Sequence, residues 1–159
     1  MTEPIADKEV LQKIKAFANF KLEEVEMLAS VSDVEEFKKG DVIVKEGQSG
    51  DCMYVILSGK VRISSEAEGK KVELANLSGG DFFGELALVD DCPRSATVIG
   101  QEDGRLLRIA QTTVGVLAGA SARTAIKLLV AIGHSLAMRV RAGNRKYSNL
   151  ILLGHEVEE

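Results

Sequence analysis

The chain has 159 residues, of which 45% are hydrophobic and 28% charged, and its formal net charge is −4. This length and composition suffice to bury one core and predict a single domain over residues 1–159. The N-terminus lacks the apolar core of a secretion signal, and no apolar run approaches the roughly 20 residues that cross a bilayer. Cys52 and Cys92 lack the spacing of a metal or redox pair, so we expect a reduced, cytoplasmic protein with no membrane partner.

Charge is divided unevenly along the chain. Residues 1–104 carry 21 Asp and Glu against 12 Lys and Arg, whereas residues 105–155 carry eight Lys and Arg and no acid. A basic C-terminal segment of this kind could bind a polyanion, or it could neutralise the acidic body of its own chain. The sequence leaves both interpretations open.

Residues 1–33 are predicted to form two short helices. Apolar residues recur at helical spacing from Val10 to Phe17 and again from Leu22 to Leu28, and Asn19-Phe20 interrupts the pattern. We expect the apolar faces of these helices to pack against a β core.

Residues 34–110 change to short β-rich runs separated by turns that contain Gly, Asp, Ser and Asn. Many short strands with frequent turns are typical of an antiparallel barrel or jelly roll. The predicted fold class is therefore α+β, an antiparallel, jelly-roll-like β-roll with N-terminal helices and a long C-terminal helix. The candidate strands are Val42–Lys45, Cys52–Ser58, Lys60–Ser65, Lys71–Leu77, Ala96–Ile99 and Arg105–Ile109.

Residues 111–146 are predicted to hold the C-terminal helices, followed by a short apolar tail over residues 147–159. A short helix fits Thr112–Leu117, and Ser121 is a suitable N-cap for a long helix over Ala122–Asn144. This long helix is apolar on more than one face, so it should bury more than one face. Since the β-roll can cover only one side, we predict a homodimer formed through this helix.

Residues 82–98 combine the elements of an anion site. A short helical turn after Gly84 would offer free backbone N–H groups, and these favour a bound anion. Arg94 adds a planar fork that suits two oxygens of one phosphate. Glu85 would repel that anion, so its carboxylate is better placed to accept hydrogen bonds from sugar hydroxyls. Phosphate donors beside one sugar-binding carboxylate indicate a nucleotide pocket.

This block resembles the phosphate-binding cassette of the cyclic nucleotide-binding domain family. A second family signature runs from Ile43 to Gly59, in the same order and at the same spacing as in the family. The resemblance covers roughly residues 10–142. It implies a β-roll that holds a cyclic nucleotide, cAMP in preference to cGMP, and that needs no metal.

The resemblance also implies roles for single residues. Arg94 would pair with the cyclic phosphate, and Glu85 would hold the ribose 2′-OH. Ser95 would donate to the phosphate or contact the amine of a guanine. Ungapped counting from Arg94 places Arg139 and Val140 near the base, where Arg139 either stacks on the purine or lies in solvent. The remaining ligand-binding residues that it implies are Phe83, Gly84, Leu86, Ala87, Ala96, Leu74 and Ala75, with the backbone N–H groups of Leu86 and Ala87 facing the phosphate.

These roles predict a regulatory sensor in which ligand binding rearranges the helices, and an unidentified protein partner detects the change. Two alternatives are a fragment of a DNA-binding transcription regulator and a dimerising scaffold that binds no ligand. Residues 145–159 are too few for a helix-turn-helix reader, so direct DNA binding is not expected. A cupin-type enzyme would need clustered histidines, and His134 and His155 both lie outside the β region, so no catalytic role is predicted.

Overall fold

A computed structural model describes the backbone of residues 4–158 and the side chains of residues 9–154. Within these residues six strands form one antiparallel sheet, with helices before and after it. This architecture confirms the predicted β-roll fold class. The elements are α1 (Pro4–Lys13), a first 3-10 turn (Lys15–Phe17), α2 (Leu22–Ser30), β1 (Asp33–Phe37), β2 (Val42–Val44), β3 (Cys52–Ala67), β4 (Lys70–Ser78), β5 (Phe82–Phe83), a second 3-10 turn (Glu85–Leu88), β6 (Thr97–Ala110), α3 (Gln111–Ala120) and α4 (Ala122–Glu158).

Two long strands, β3 and β6, organise the sheet. The strand order is β1-β6-β3-β4, with β2 also paired to β6 and β5 to β3. Each long strand was predicted as two short ones, broken in β3 at Ser58-Gly59. The structure instead keeps each strand continuous and shifts the β3–β6 register between Ile56 and Val61. At this irregularity Gly59 has φ +86°, and a Cβ there would lie 2.7 Å from the Asp103 carbonyl oxygen. The glycine therefore permits a bulge in a continuous strand rather than a turn between two strands.

The buried residues form two clusters on the two sides of the sheet. One cluster joins the N-terminal helices and the start of α4 to one side of the long strands, with Leu28, Leu107 and Leu128 almost wholly buried. The other fills the interior of the roll around Ile56 and Phe83. The predicted packing of the N-terminal apolar faces on the β core is confirmed.

The helix α4 is a single helix of 37 residues, about 55 Å long at 1.5 Å per residue. The Ser121 hydroxyl accepts a hydrogen bond from the Thr124 amide at 3.3 Å, which caps the start of the helix as expected. From Met138 to Gly154 every described side chain is exposed. Residues 147–158, for which the sequence predicted an apolar tail without a defined conformation, continue this helix, and no proline interrupts it. In the described part of the chain, no helix is both long and apolar enough to cross a membrane.

A buried carboxylate joins the two helical layers. Glu24 of α2 accepts a hydrogen bond of 2.6 Å from the Lys127 ammonium group, and its second oxygen lies 3.4 Å from the Thr124 hydroxyl. Lys127 also donates to the Asn19 carbonyl at 2.9 Å. The hydrogen bond from Lys127 is the largest cause of a lowered Glu24 pKa, and the Lys21 amide adds to it. This cluster fixes the first half of α4 against the N-terminal helices.

Replacing Lys127 by Met should lower the free energy of unfolding at neutral pH by about 1–3 kcal/mol, because the buried Glu24 then loses its charged donor. A lowered folded-state pKa means that the pair stabilises the fold fully above the ordinary value of 4.5 and that this contribution is lost as the pH falls through the lowered value. Urea unfolding should therefore show a difference between wild type and Lys127→Met that shrinks on acidification. The exposed Lys146→Met is the control, with an expected change within about 0.5 kcal/mol. An equal loss at every pH would contradict this assignment.

Candidate functional site

The short strand β5 places the second 3-10 turn against β3. Its residues pair with Tyr54 and Val55, and the ring of Phe83 stacks on that of Tyr54 with centroids 5.3 Å apart. Burial raises the pKa of the Tyr54 phenol, with a further contribution from Cys52, so this ring is neutral at the base of the site. Gly84 then takes φ +76°, and a Cβ there would lie 2.6 Å from Arg94 Nη1. Both its backbone angle and its contact with Arg94 thus favour glycine.

The second 3-10 turn holds its own backbone hydrogen bonds. The Ala87 amide donates to the Gly84 carbonyl at 3.1 Å, as the three-residue spacing of such a turn requires. The Ala87 N–H is therefore engaged within the turn, where we had expected it to face the phosphate. The side chain of Ala87 is buried, whereas that of Leu86 is about half exposed. The phosphate contacts of these two amides stay predictions.

The side chain of Glu85 is the most informative feature of the site. It is 1% exposed, and one of its oxygens, Oε1, forms an ion pair with Arg139 Nη1. The other oxygen, Oε2, is buried and has no hydrogen-bond partner in the part of the chain that the structure describes. Leaving a buried charged acceptor without a donor costs about 1–3 kcal/mol or more, so Oε2 calls for a hydrogen-bond donor. A ligand hydroxyl would supply one.

Arg94 lies along the backbone beside this carboxylate. Its Nη2 donates to the Cys52 carbonyl at 2.7 Å and lies 3.4 Å from the Cys52 sulfur, while Nη1 donates to the Gly84 carbonyl at 3.2 Å. Its own amide donates to Gln48 at 2.8 Å, and its carbonyl accepts from Gly47 at 2.9 Å. The guanidinium is therefore partly buried at the turn and held by two backbone segments. Cys52 is buried and free, as predicted.

Arg139 reaches the site from α4. Besides its pair with Glu85 it donates to the Phe82 carbonyl at 3.2 Å, and its side chain is half exposed. In this structure Arg139 is ion-paired rather than free in solvent, and its stacking on a purine stays a prediction. Arg139 pairs with Glu85 because that carboxylate is buried, and opposite charges attract each other more strongly in the protein interior than in water. Val140, the other candidate base contact, is exposed.

The remaining predicted residues lie around this centre without hydrogen bonds to it in the described part of the chain. Ser95 is exposed and Ala96 half-buried, just before β6 begins. Leu74 and Ala75 lie on β4, and Leu74 is exposed. The sequence interpretation missed the carbonyl oxygens of Cys52, Phe82 and Gly84 as partners of the two arginines. No pattern of side chains could have revealed them, because they are backbone atoms aligned by strand pairing.

The fold and the site together define a β-roll domain whose short turn brings one buried carboxylate and two arginines to the same place. The sequence profile of the cyclic nucleotide-binding domain matches residues 34–118. The chain belongs to the cyclic nucleotide-binding domain family, which confirms the predicted resemblance.

Its relatives include proteins of both cAMP-dependent and cGMP-dependent protein kinases. The cAMP-dependent protein kinase regulatory subunit of Debaryomyces hansenii is 41% identical over 91 residues, which are 57% of this chain and 20% of that protein. The cGMP-dependent protein kinase egl-4 of Caenorhabditis briggsae is 38% identical over 96 residues, 59% of this chain and 13% of that one. The chain thus spans a fifth or less of the length of these two relatives.

Solved structures give the same family. The catabolite activator protein of Thermus thermophilus superposes with a TM-score of 0.77 at 29% identity, covering 85% of this chain and 62% of that one. The N-terminal domain of a transcriptional regulator from Streptomyces coelicolor A3(2) superposes with a TM-score of 0.73 at 28% identity, covering 84% and 93%.

Proposed function

We propose that this chain is a regulatory sensor that binds a cyclic nucleotide at the second 3-10 turn. The observation that carries the proposal is Glu85, a buried carboxylate with one oxygen paired to Arg139 and the other without a donor among the residues described. A ribose 2′-OH would satisfy that oxygen, and Arg94, anchored beside Gly84, would meet the cyclic phosphate. Ser95 would add a hydroxyl at the edge of the site, and no metal is needed for this chemistry.

The preferred ligand in this proposal is cAMP. Guanine selectivity needs polar partners for the edge of the base. Of the two positions that counting places near the base, Val140 is apolar and Arg139 is already paired with Glu85. Isothermal titration calorimetry with cAMP and with cGMP tests both the binding of a cyclic nucleotide and the preference for cAMP. We expect saturable binding of both and tighter binding of cAMP. Tighter binding of cGMP would overturn the preference alone, whereas saturable binding of neither would overturn the proposed function.

The route from ligand to output is proposed to run through α4. Its distal half is joined to the site by the ion pair between Arg139 and Glu85, while Lys127 and Glu24 fix its first half to the N-terminal helices. A ribose that shares Glu85 changes the free energy of the Arg139 contact and so the position of the exposed half of α4. An unidentified protein partner would detect that change.

We also propose a homodimer formed through α4. Nine residues of this helix recur at alternating spacings of three and four, the pattern of a coiled-coil seam. A Cβ at Gly133, Gly143 or Gly154 would meet none of the described atoms within 4 Å, so a second helix can approach closely there. The nine residues are Ile126, Leu129, Gly133, Leu136, Val140, Gly143, Tyr147, Leu150 and Gly154.

Charge placed in this seam should separate the dimer. We expect wild type to sediment as a dimer at tens of micromolar, and Val140→Asp with Leu150→Asp to sediment as a monomer, because two carboxylates would be buried without partners. The matched control is Leu152→Asp, which is equally exposed but lies on the opposite side of the helix. A monomeric wild type, or equal effects of control and seam variants, would contradict the proposed interface.

The chain would act in the cytoplasm and without catalysis. A second candidate is the sensor half of a DNA-binding regulator, which is favoured by the match to the Thermus thermophilus catabolite activator protein over 62% of its length. The coding sequence downstream of Glu159 distinguishes the two, since only the second candidate requires a helix-turn-helix there.

A further inference from the structure

Gly50 lies in the loop before β3, and its backbone does not explain why it is a glycine. It is absent from the glycines with positive φ, so its backbone conformation is open to other residues. The space beside it is not open. A Cβ on Gly50 would lie 2.1 Å from Arg94 Nε, 2.4 Å from Cζ and 2.8 Å from Nη2. A methyl group at residue 50 and the observed Arg94 side chain cannot coexist.

Backbone atoms of Gly50, Gly84 and Cys52 surround the Arg94 guanidinium. Gly84 approaches the group at Nη1, and the carbonyl oxygens of Gly84 and Cys52 accept one hydrogen bond each. A guanidinium has five N–H groups. Two donate to these carbonyls and a third, on Nη2, faces the Cys52 sulfur at 3.4 Å, which leaves Nε–H and one N–H of Nη1 for an anion. A cation fixed in this way keeps its orientation before a ligand arrives.

We propose that Gly50 is a positioning residue for the ligand site. Its missing side chain admits Arg94 to the carbonyls of Cys52 and Gly84, and this holds the guanidinium in the orientation that the cyclic phosphate requires. The inference rests on the proposed function. Fixing a flexible cation in advance reduces the entropy lost on binding, so a variant that displaces Arg94 binds more weakly although it keeps every donor.

The test compares Gly50→Ala with Gly119→Ala by calorimetry with cAMP. A Cβ at Gly119 meets nothing within 4 Å, so this control changes a glycine without touching Arg94. We expect Gly50→Ala to weaken binding by about tenfold to a hundredfold and Gly119→Ala by less than about twofold. Both variants should keep the wild-type circular dichroism spectrum.

A double-mutant cycle separates positioning from a general effect on the loop. In an Arg94→Ala background, with binding followed by ligand-observed NMR at millimolar cAMP, Gly50→Ala should have no further effect beyond about twofold. Equal losses in both backgrounds would overturn the inference, and so would wild-type affinity in Gly50→Ala alone.

A measurement on ligand-free protein tests the role of Gly50 independently of whether the chain binds a cyclic nucleotide. The Nε–H of Arg94, assigned by its loss in Arg94→Ala, should exchange with solvent faster in ligand-free Gly50→Ala than in wild type. Unchanged exchange overturns the positioning role. If wild type binds neither cyclic nucleotide but exchange is faster in Gly50→Ala, the proposed function fails while the placement of Arg94 by Gly50 stands.

Discussion

Arg94→Ala is expected to weaken the binding of cyclic nucleotide by about 30-fold to 1000-fold, the largest effect of any single substitution in this chain. The reason is that a partly enclosed phosphate would lose the fork of charged donors that Arg94 supplies, and charge-assisted contacts of this kind contribute about 2–4 kcal/mol. In the free protein Arg94 donates to the carbonyls of Cys52 and Gly84. Titration calorimetry with cAMP measures the loss.

Two further variants sharpen this measurement. Arg94→Lys keeps the charge but not the planar fork, so it should recover only part of the affinity. Arg123→Ala removes an exposed arginine at the start of α4 and should leave affinity within about twofold. If Arg94→Ala binds within about threefold of wild type, the phosphate does not lie at this guanidinium.

Glu85→Gln is expected to give the second largest effect, a loss of about tenfold to a hundredfold in affinity for cAMP. The carboxylate oxygen Oε2 has no hydrogen-bond partner among the described residues, so a ribose hydroxyl that donates to it forms a charge-assisted hydrogen bond in a buried setting. An amide is a weaker acceptor, and it also forfeits the ion pair with Arg139.

The 2′-deoxy analogue of cAMP identifies the atom involved. Wild type should bind it about as weakly as Glu85→Gln binds cAMP, and the variant should scarcely distinguish the two ligands, since the same contact is missing in both cases. Glu36→Gln, an exposed carboxylate on β1, is the control. Additive losses from the variant and the analogue would place the 2′-OH elsewhere.

Much of the fold was predictable because its signals are local. Helical spacing of apolar residues located α1, α2 and the start of α4, and the predicted N-cap at Ser121 is present. The strand β1, with the sequence Asp-Val-Glu-Glu-Phe, was not predicted. Its acids carry no strand preference of their own, and it becomes a strand only because β6 offers it a partner.

The end of α4 shows a similar limit. Residues 147–153 end in four consecutive apolar residues, and so short an apolar run does not by itself predict a helix. In the folded chain they extend an existing helix, and adding residues to a formed helix is far easier than nucleating one. Periodicity within a short window could not show this, because α4 begins at Ala122, 25 positions before Tyr147.

The sequence alone determined the family, the β-roll and the placing of one acid and one arginine near the same turn, since these depend on residue type and short spacing. The tertiary structure decided what those side chains contact. Arg139 contacts Glu85 although 54 positions separate them in the sequence, and Arg94 contacts Cys52 at a separation of 42 positions. Strand pairing and helix packing bring these atoms together. A buried charge is costly unless it is hydrogen-bonded, so it pairs with the donors and acceptors that the fold places near it.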